Sequence, residues 1–553
     1  MASFNSRYLS YEEVSNQFVP TPTFKRLAYP GHSILLGARG CGKTTMLKML
    51  QPEAISVFCQ KDSSLQIPFY GVYIPSDRQW SFIIEERAND NTNGKRSQIS
   101  RALVNLNVLL AFVESLNFII SGKKVSDTDR YNLCKLLLEC WQLPSGLPPM
   151  LEFIQLQLRR EAVNLHNTET GNMTDYTMPF VCRTSFLETV ILALDCIDIS
   201  LSKYNMLEKW ALCFDELEIA PEWLKTQIVE EHLRSRDQRI FFKMTATPDW
   251  KLPRSSYRDA AENNDIDVIR CWNHEYETIA QWRNFCNQII KTHVLDKYNI
   301  SLDDFINIIS IERKDRHYYL ENLPKVDHGF AMYFARDRGV DDKNAVIISR
   351  ADYRSKYYNI FILAARYYYY CQKQNKPESG NFSYLGDWML YTMPDGNPRS
   401  LMNFVLSIVY KLEKNGRLRS NFPALGKLVL DFSQKSVEER FLYCPMRQVK
   451  VNDRDLSFND ILIGIGIYFR NQLLGAEYNP MPITMFSIDH NTLFKDFVHV
   501  ALEAGAIVLI EDKQSFSGKM PNGVFRLSYM LYPYFGIVSS PSKDVVFLEE
   551  IFK

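Results

Sequence analysis

Ser33-Ile34-Leu35-Leu36-Gly37-Ala38-Arg39-Gly40-Cys41-Gly42-Lys43-Thr44-Thr45 is the stretch whose reading decides the fold. Residues 33–36 are a short, largely apolar run, which predicts a buried strand. Residues 44–50, Thr-Thr-Met-Leu-Lys-Met-Leu, predict the start of a helix. The glycines between them match the pattern GxxxxGK[ST] in full. Gly40 and Gly42 allow the backbone to curl so that successive N–H groups face one anion. The helix that follows presents its positive end to the same anion. In such a loop Lys43 reaches the β- and γ-phosphates of a nucleotide and Thr44 offers its hydroxyl to Mg²⁺. The residues that bind ATP are thus expected to be Gly37, Ala38, Arg39, Gly40, Cys41, Gly42, Lys43, Thr44 and Thr45.

Working outward, residues 67–74 read as a second strand. Trp210-Ala211-Leu212-Cys213-Phe214 and Ile240-Phe241-Phe242-Lys243-Met244 are two more, with a helix expected over 221–235 between them, and 265–272 is a fifth. Strands that alternate with helical segments imply an α/β fold with a mainly parallel sheet. Residues 98–165 carry helical periodicity, for example Leu103, Leu106, Leu109, Leu110 and Val113, and residues 185–207 repeat it. Beyond 275 the chain reads as mostly helical to about 415. The remainder mixes helices with short strands: a helix over Phe494–Ala504, a strand over 506–510, a polar loop over 512–522 and a strand over 524–530.

The strand ending at Phe214 runs directly into Asp215-Glu216. In a phosphate-loop fold this puts Asp215 beside the metal and Glu216 beside the attacking water. Thr245, just after the strand ending at Met244, places a hydroxyl next to that pair, with Thr247 a lesser candidate for the same contact. Gly396-Asn397-Pro398-Arg399 opens a helix, and Arg399 in its first turn is suited to point at a γ-phosphate.

The order of these motifs resembles that of the AAA+ ATPases, in particular their origin-recognition-complex-like branch and its prokaryotic relatives. The resemblance implies an ATPase core, a helical lid and a C-terminal winged-helix-like domain. It gives Lys43 and Thr44 the Walker A role, Asp215 and Glu216 the Walker B role, Thr245 that of sensor 1 and Arg399 that of sensor 2. It also implies that Val19 and Pro20, within Gln17-Phe18-Val19-Pro20, help cup the adenine. An arginine finger is expected between sensor 1 and the fifth strand, where Arg254 and Arg258 lie. The domains expected are an ATPase core over 1–275 with a helical insertion at about 81–180, a lid over 276–415 and a winged-helix-like domain over 416–553. Prokaryotic ATPases of this kind with large insertions look similar to the switch components of anti-phage defence systems, which implies a separate effector protein and a homo-oligomer.

Composition bounds the partners. At 553 residues the chain exceeds a single core, which stops growing near roughly 250–300 residues. Lys plus Arg and Asp plus Glu number 64 each, so net charge is zero. That weighs against a protein that coats nucleic acid and leaves an initiator-like DNA binder, working through the C-terminal domain, as the alternative reading. The 11 cysteines contain no CxxC pair, and the histidines no HExxH. No metal cluster is expected beyond the Mg²⁺ of the nucleotide. Met1 to Val19 is polar, and no uninterrupted apolar run approaches the roughly 20 residues that span a bilayer. A cytoplasmic protein without a membrane partner is the expectation.

Overall fold

The computed structural model describes residues 6–62, 65–77, 80, 93–144, 146–169, 177–229, 233, 237–248, 250, 266–271, 279–309, 314–338, 356–376, 384, 386–415, 422–441, 444–451, 454–488, 493–512, 523–540 and 542–553. The chain forms two compact units. The first comprises Met1–Gly37 and Gly42–Arg270, the second Ala38–Cys41 and Cys271–Lys553.

The first unit is built on a five-stranded sheet of β1 (Ser33–Leu36), β2 (Tyr70–Pro75), β3 (Trp210–Asp215), β4 (Ile240–Ala246) and β5 (Asp267–Arg270). The spatial order is β2-β3-β4-β1-β5 and every pairing is parallel. All residues of β1, β3 and β4 are buried, as expected of parallel strands covered on both faces. The α/β reading and the parallel sheet of the sequence analysis are therefore what the chain adopts. The second strand starts later than its apolar run, at Tyr70, because Pro68 has no N–H to give a neighbouring strand. The helix expected over 221–235 opens with Pro221 as its N-cap, and Glu222–Gln227 is its regular α-helical part.

Helices α1 (Tyr11–Gln17) and α2 (Pro22–Leu27) precede β1 in the chain, and α3 (Lys43–Lys48) follows it. The helix starts follow local chemistry. Ser10 caps α1 through a capping box with Glu13, and Thr21 caps α2 ahead of Pro22. The segment between β2 and β3 holds α4 (Asn93–Gly122), α5 (Asp127–Cys140), α6 (Leu151–Glu169) and α7 (Phe186–Leu201). Phe112 of α4 packs on Trp210 of β3 with ring centroids 4.8 Å apart, and the Trp141 indole donates to the Thr189 carbonyl of α7 at 3.0 Å. This helical segment thus covers the sheet itself. Its apolarity has the same cause. Gln98–Gly122 is long and apolar enough to cross a membrane by length and composition, and 67% of its most apolar window is buried in the unit.

In the second unit, helices include Ile279–His293, Ile360–Lys373, Pro398–Asn415, Phe422–Ser436, Phe458–Leu474 and Lys495–Ala504. A four-stranded sheet joins Met485–Ser487, Ile507–Asp512, Gly523–Leu527 and Val545–Phe547. Arg366 is fully buried. It is paired with the equally buried Asp327 through Nε–H···Oδ2 at 2.5 Å and Nη2–H···Oδ1 at 3.0 Å, and Nη1 donates to the Leu473 carbonyl at 2.7 Å. Two tyrosine pairs, Tyr318 with Tyr367 and Tyr319 with Tyr368, share hydroxyl hydrogen bonds at 3.1 and 3.2 Å, so these tyrosines are used in packing.

Candidate nucleotide site

The sheet order brings the motif-bearing strand ends together. β1 lies next to β4, and β4 next to β3, so the carboxyl ends of the three strands are neighbours. In open α/β sheets ligands bind at this edge. The loop after β1 begins with the Gly37 N–H on the Ala246 carbonyl at 3.1 Å. Gly40 and Gly42 both have φ of +94°, a conformation that side-chain-bearing residues resist. Helix α3 then starts at Lys43, with Gly42 as its N-cap. The Lys43 ammonium, buried, donates to the Gly37 carbonyl at the base of the same loop.

Asp215 is 3% exposed and accepts four hydrogen bonds. Its Oδ2 takes Thr44 Oγ1–H at 2.7 Å and the Tyr73 hydroxyl at 2.9 Å. Its Oδ1 takes Thr245 Oγ1–H at 2.5 Å and the Glu216 backbone N–H at 3.1 Å. Thr245 also accepts the Glu216 N–H, at 2.9 Å. Thr44, Asp215, Thr245 and Glu216 therefore form one hydrogen-bonded group across three strand ends. Glu216 sits in left-handed backbone, φ +55°, which turns the chain sharply at the end of β3. Its carboxylate meets the Arg7 guanidinium at 3.1 Å. The Tyr73 hydroxyl is held protonated, its pKa raised chiefly by burial and then by the Asp215 charge.

Glu218 lies two residues further on. Burial pushes its carboxyl up to about 7, while the Lys43 ammonium pulls the other way. Among the described residues its Oε2, shielded from solvent, meets no hydrogen-bond donor. A buried polar atom left unpaired is costly, and such atoms concentrate where a ligand completes the bonding.

The donor set suits Mg²⁺. A threonine hydroxyl and a carboxylate, 2.7 Å apart, are hard oxygen ligands of the kind the ion takes alongside phosphate and water. Among the described residues no group of three or more His, Cys, Asp or Glu side chains is arranged to hold a metal by itself. A cation here would be shared with the nucleotide.

The remaining sites expected from the sequence are distributed as follows. Ala38, Arg39, Gly40 and Cys41 group with the second unit. There the Asn397 side-chain amide donates to the Arg39 carbonyl at 2.8 Å, the Arg399 N–H to the Gly40 carbonyl at 3.4 Å, and the Arg39 guanidinium pairs with Glu503 at 2.7 Å. Arg399 follows Pro398 in the first turn of its helix. Thr45 Oγ1 shares a 2.5 Å hydrogen bond with Ser6 Oγ. Val19 is buried and Pro20 half-buried between α1 and α2. Thr247 is buried directly after β4. Arg254 and Arg258 lie outside the described residues. The motifs gave no sign of Ser6, Arg7, Lys48 or Tyr73. Tyr73 was findable in principle, because alternation along β2 puts it on one face with Gly71 and Pro75, and Pro75 pairs with Asp215.

A family model described as ORC-CDC6-like matches residues 1–546. No curated protein and no solved structure matches the chain.

Proposed function

Because the chain belongs to the ORC-CDC6-like family of AAA+ ATPases, we propose that it is an ATP-hydrolysing switch that acts on a partner effector protein. The observation that carries the enzymatic half is the hydrogen-bonded group Thr44–Asp215–Thr245–Glu216 at the end of a phosphate loop. On this reading Lys43 and the loop amides hold the β- and γ-phosphates. Thr44 and Asp215 would hold Mg²⁺, which would supply positive charge against the phosphates. Glu216 accepts the proton of a water whose oxygen bonds to the γ-phosphorus as the bridging P–O bond breaks, leaving ADP and phosphate. Thr245 fixes the Glu216 backbone and Arg399 takes the sensor 2 role. Val19 and Pro20 flank the base.

The partner half rests on charge and on how basic residues are used. The net charge is zero. Arg526, on the strand Gly523–Leu527, is 8% exposed and paired with Asp395 at 2.6 Å, so it has no charge to spare for a phosphate backbone. A lid over 276–415 and a winged-helix-like domain over 416–553 would supply partner surface. For the latter, the succession Phe458–Leu474, Met485–Ser487, Lys495–Ala504, Ile507–Asp512, Gly523–Leu527 supports a helix–strand–helix–strand–strand order. A homo-oligomer and an anti-phage setting belong to this reading, and an initiator-like DNA binder is the alternative.

The deciding experiment is steady-state ATP turnover with and without double-stranded DNA, with Lys43→Ala as the blank. Lys43→Ala is expected to lose nucleotide binding, and Glu216→Gln to bind ATP but turn over at least roughly a hundredfold more slowly. Normal turnover in Glu216→Gln would remove Glu216 from the mechanism. A several-fold rise in turnover with DNA would favour the initiator-like reading over the protein-partner one.

A further inference from the structure

The N-terminal turn Ser6–Tyr8 carries no motif, yet three separate contacts fasten it to the phosphate-loop helix and to the carboxylate after β3. Lys48, at the last position of α3, has three ammonium N–H donors. They go to the carbonyls of Ser6 at 2.8 Å, Arg7 at 3.1 Å and Leu9 at 2.8 Å. The ammonium is 5.7 Å from the Tyr11 ring centroid and 5.6 Å from that of Tyr73, and burial lowers its pKa. Ser6 Oγ is hydrogen-bonded to Thr45 Oγ1 at 2.5 Å, next to the Thr44 that contacts Asp215. Held in this way, the turn aims Arg7 Nη1 at Oε2 of Glu216, 3.1 Å away and 209 residues along the chain.

Stability does not explain this last contact. The side chains are 46% and 38% exposed, and exposed ion pairs contribute little to folding. Buried Lys48 spends all three donors on holding the turn, an expensive way to place a pair that adds so little. The contact also engages one oxygen of Glu216, and the Glu216 backbone is already fixed by Thr245 and Asp215. What remains to be set is the direction of the carboxylate, and Arg7 is the group that sets it.

We infer that Arg7 is a positioning residue for hydrolysis, and that the N-terminal turn is a working part of the ATPase site. Arg7 directs the Glu216 carboxylate through Oε2 and leaves Oε1 to take the proton of the water. This rests on the proposed hydrolysis by Glu216. The nucleotide itself is held by other groups, so the effect falls on the chemical step and not on binding.

The test compares full-length wild type, Arg7→Ala and Arg7→Lys in steady-state ATP turnover, together with nucleotide affinity and thermal midpoint. Arg7→Ala is expected to lower kcat roughly tenfold or more, with KM, nucleotide affinity and thermal midpoint unchanged. Arg7→Lys is expected to recover part of kcat, since it keeps the charge and loses the guanidinium's planar fork. An unchanged kcat in Arg7→Ala overturns the inference. So does a raised kcat, which would mean that Arg7 restrains Glu216. So does a loss of kcat accompanied by an equal loss of nucleotide affinity. Absence of turnover in the wild type overturns the hydrolysis reading and this inference with it, whereas an active wild type with an indifferent Arg7→Ala overturns this inference alone.

Discussion

Glu216 and Glu218 are two residues apart, yet their surroundings differ. Glu216 is partly exposed and paired with Arg7, while Glu218 has a shielded oxygen without a donor and a carboxyl pushed up to about 7. Its ordinary value is 4.5. A raised value in the folded chain means that folding favours the protonated form. The stability linked to it is complete below about pH 4.5 and is lost as pH rises through about 7. Glu218→Gln removes that titration while keeping the shape. Its thermal midpoint should match that of the wild type near pH 4.5 and exceed it at pH 8, by about 3 kcal/mol in stability. Two curves running parallel across that range would show that Glu218 ionises as freely as a surface glutamate. At this scale the sequence was informative where a motif fixes spacing, as with Thr44, Asp215 and Glu216. It was silent about Arg7 and Lys48, whose partners are set by a tertiary contact that no spacing rule encodes.

The elements were more legible than their limits. β1, β3 and β4 are continuous apolar runs, and they occur where such runs predict buried parallel strands. Strand order was not readable, because nothing in an apolar run states its neighbour. The helical stretch between β2 and β3 reads from the sequence as an insertion, and its helix Asn93–Gly122 packs on the sheet through Phe112 and Trp210. Hydrophobic periodicity shows which face of a helix is buried but not what buries it. Gly71 illustrates a requirement that only packing reveals. It lies in β2 opposite Ala211, and a Cβ there would stand 2.3 Å from the Leu50 carbonyl oxygen, just beyond the phosphate-loop helix. Backbone cannot yield as a flexible side chain can. Gly71→Ala should therefore cost about 2 kcal/mol, read as a lowered urea midpoint with unchanged m value. A neutral effect would mean that β2 and the end of α3 shift apart at little cost.

At the scale of the whole molecule, the family match covers both compact units. The interior of the second unit holds buried charged pairs among the described residues, and that of Arg366 with Asp327 joins three segments. Arg366 and Asp327 are both fully buried, 39 residues apart in sequence, and the guanidinium extends to the Leu473 carbonyl at 2.7 Å and to the Glu477 carbonyl at 3.2 Å. One cation thus ties the Asp327 turn, its own helix and the end of the Phe458–Leu474 helix. Burying two ions gives little net stability over an apolar core, but removing one partner strands the other charge without water. Asp327→Asn keeps the volume and two hydrogen-bonding atoms while deleting the charge that Arg366 requires. It should destabilise the second unit by about 3–5 kcal/mol, measured as a lower denaturant midpoint. In the double variant Asp327→Asn/Arg366→Met no charge is left buried, so part of that loss should return, and the two substitutions should be strongly non-additive. Additive losses would mean that each side chain acts through its own packing, and the ion pair would not be what joins these three segments.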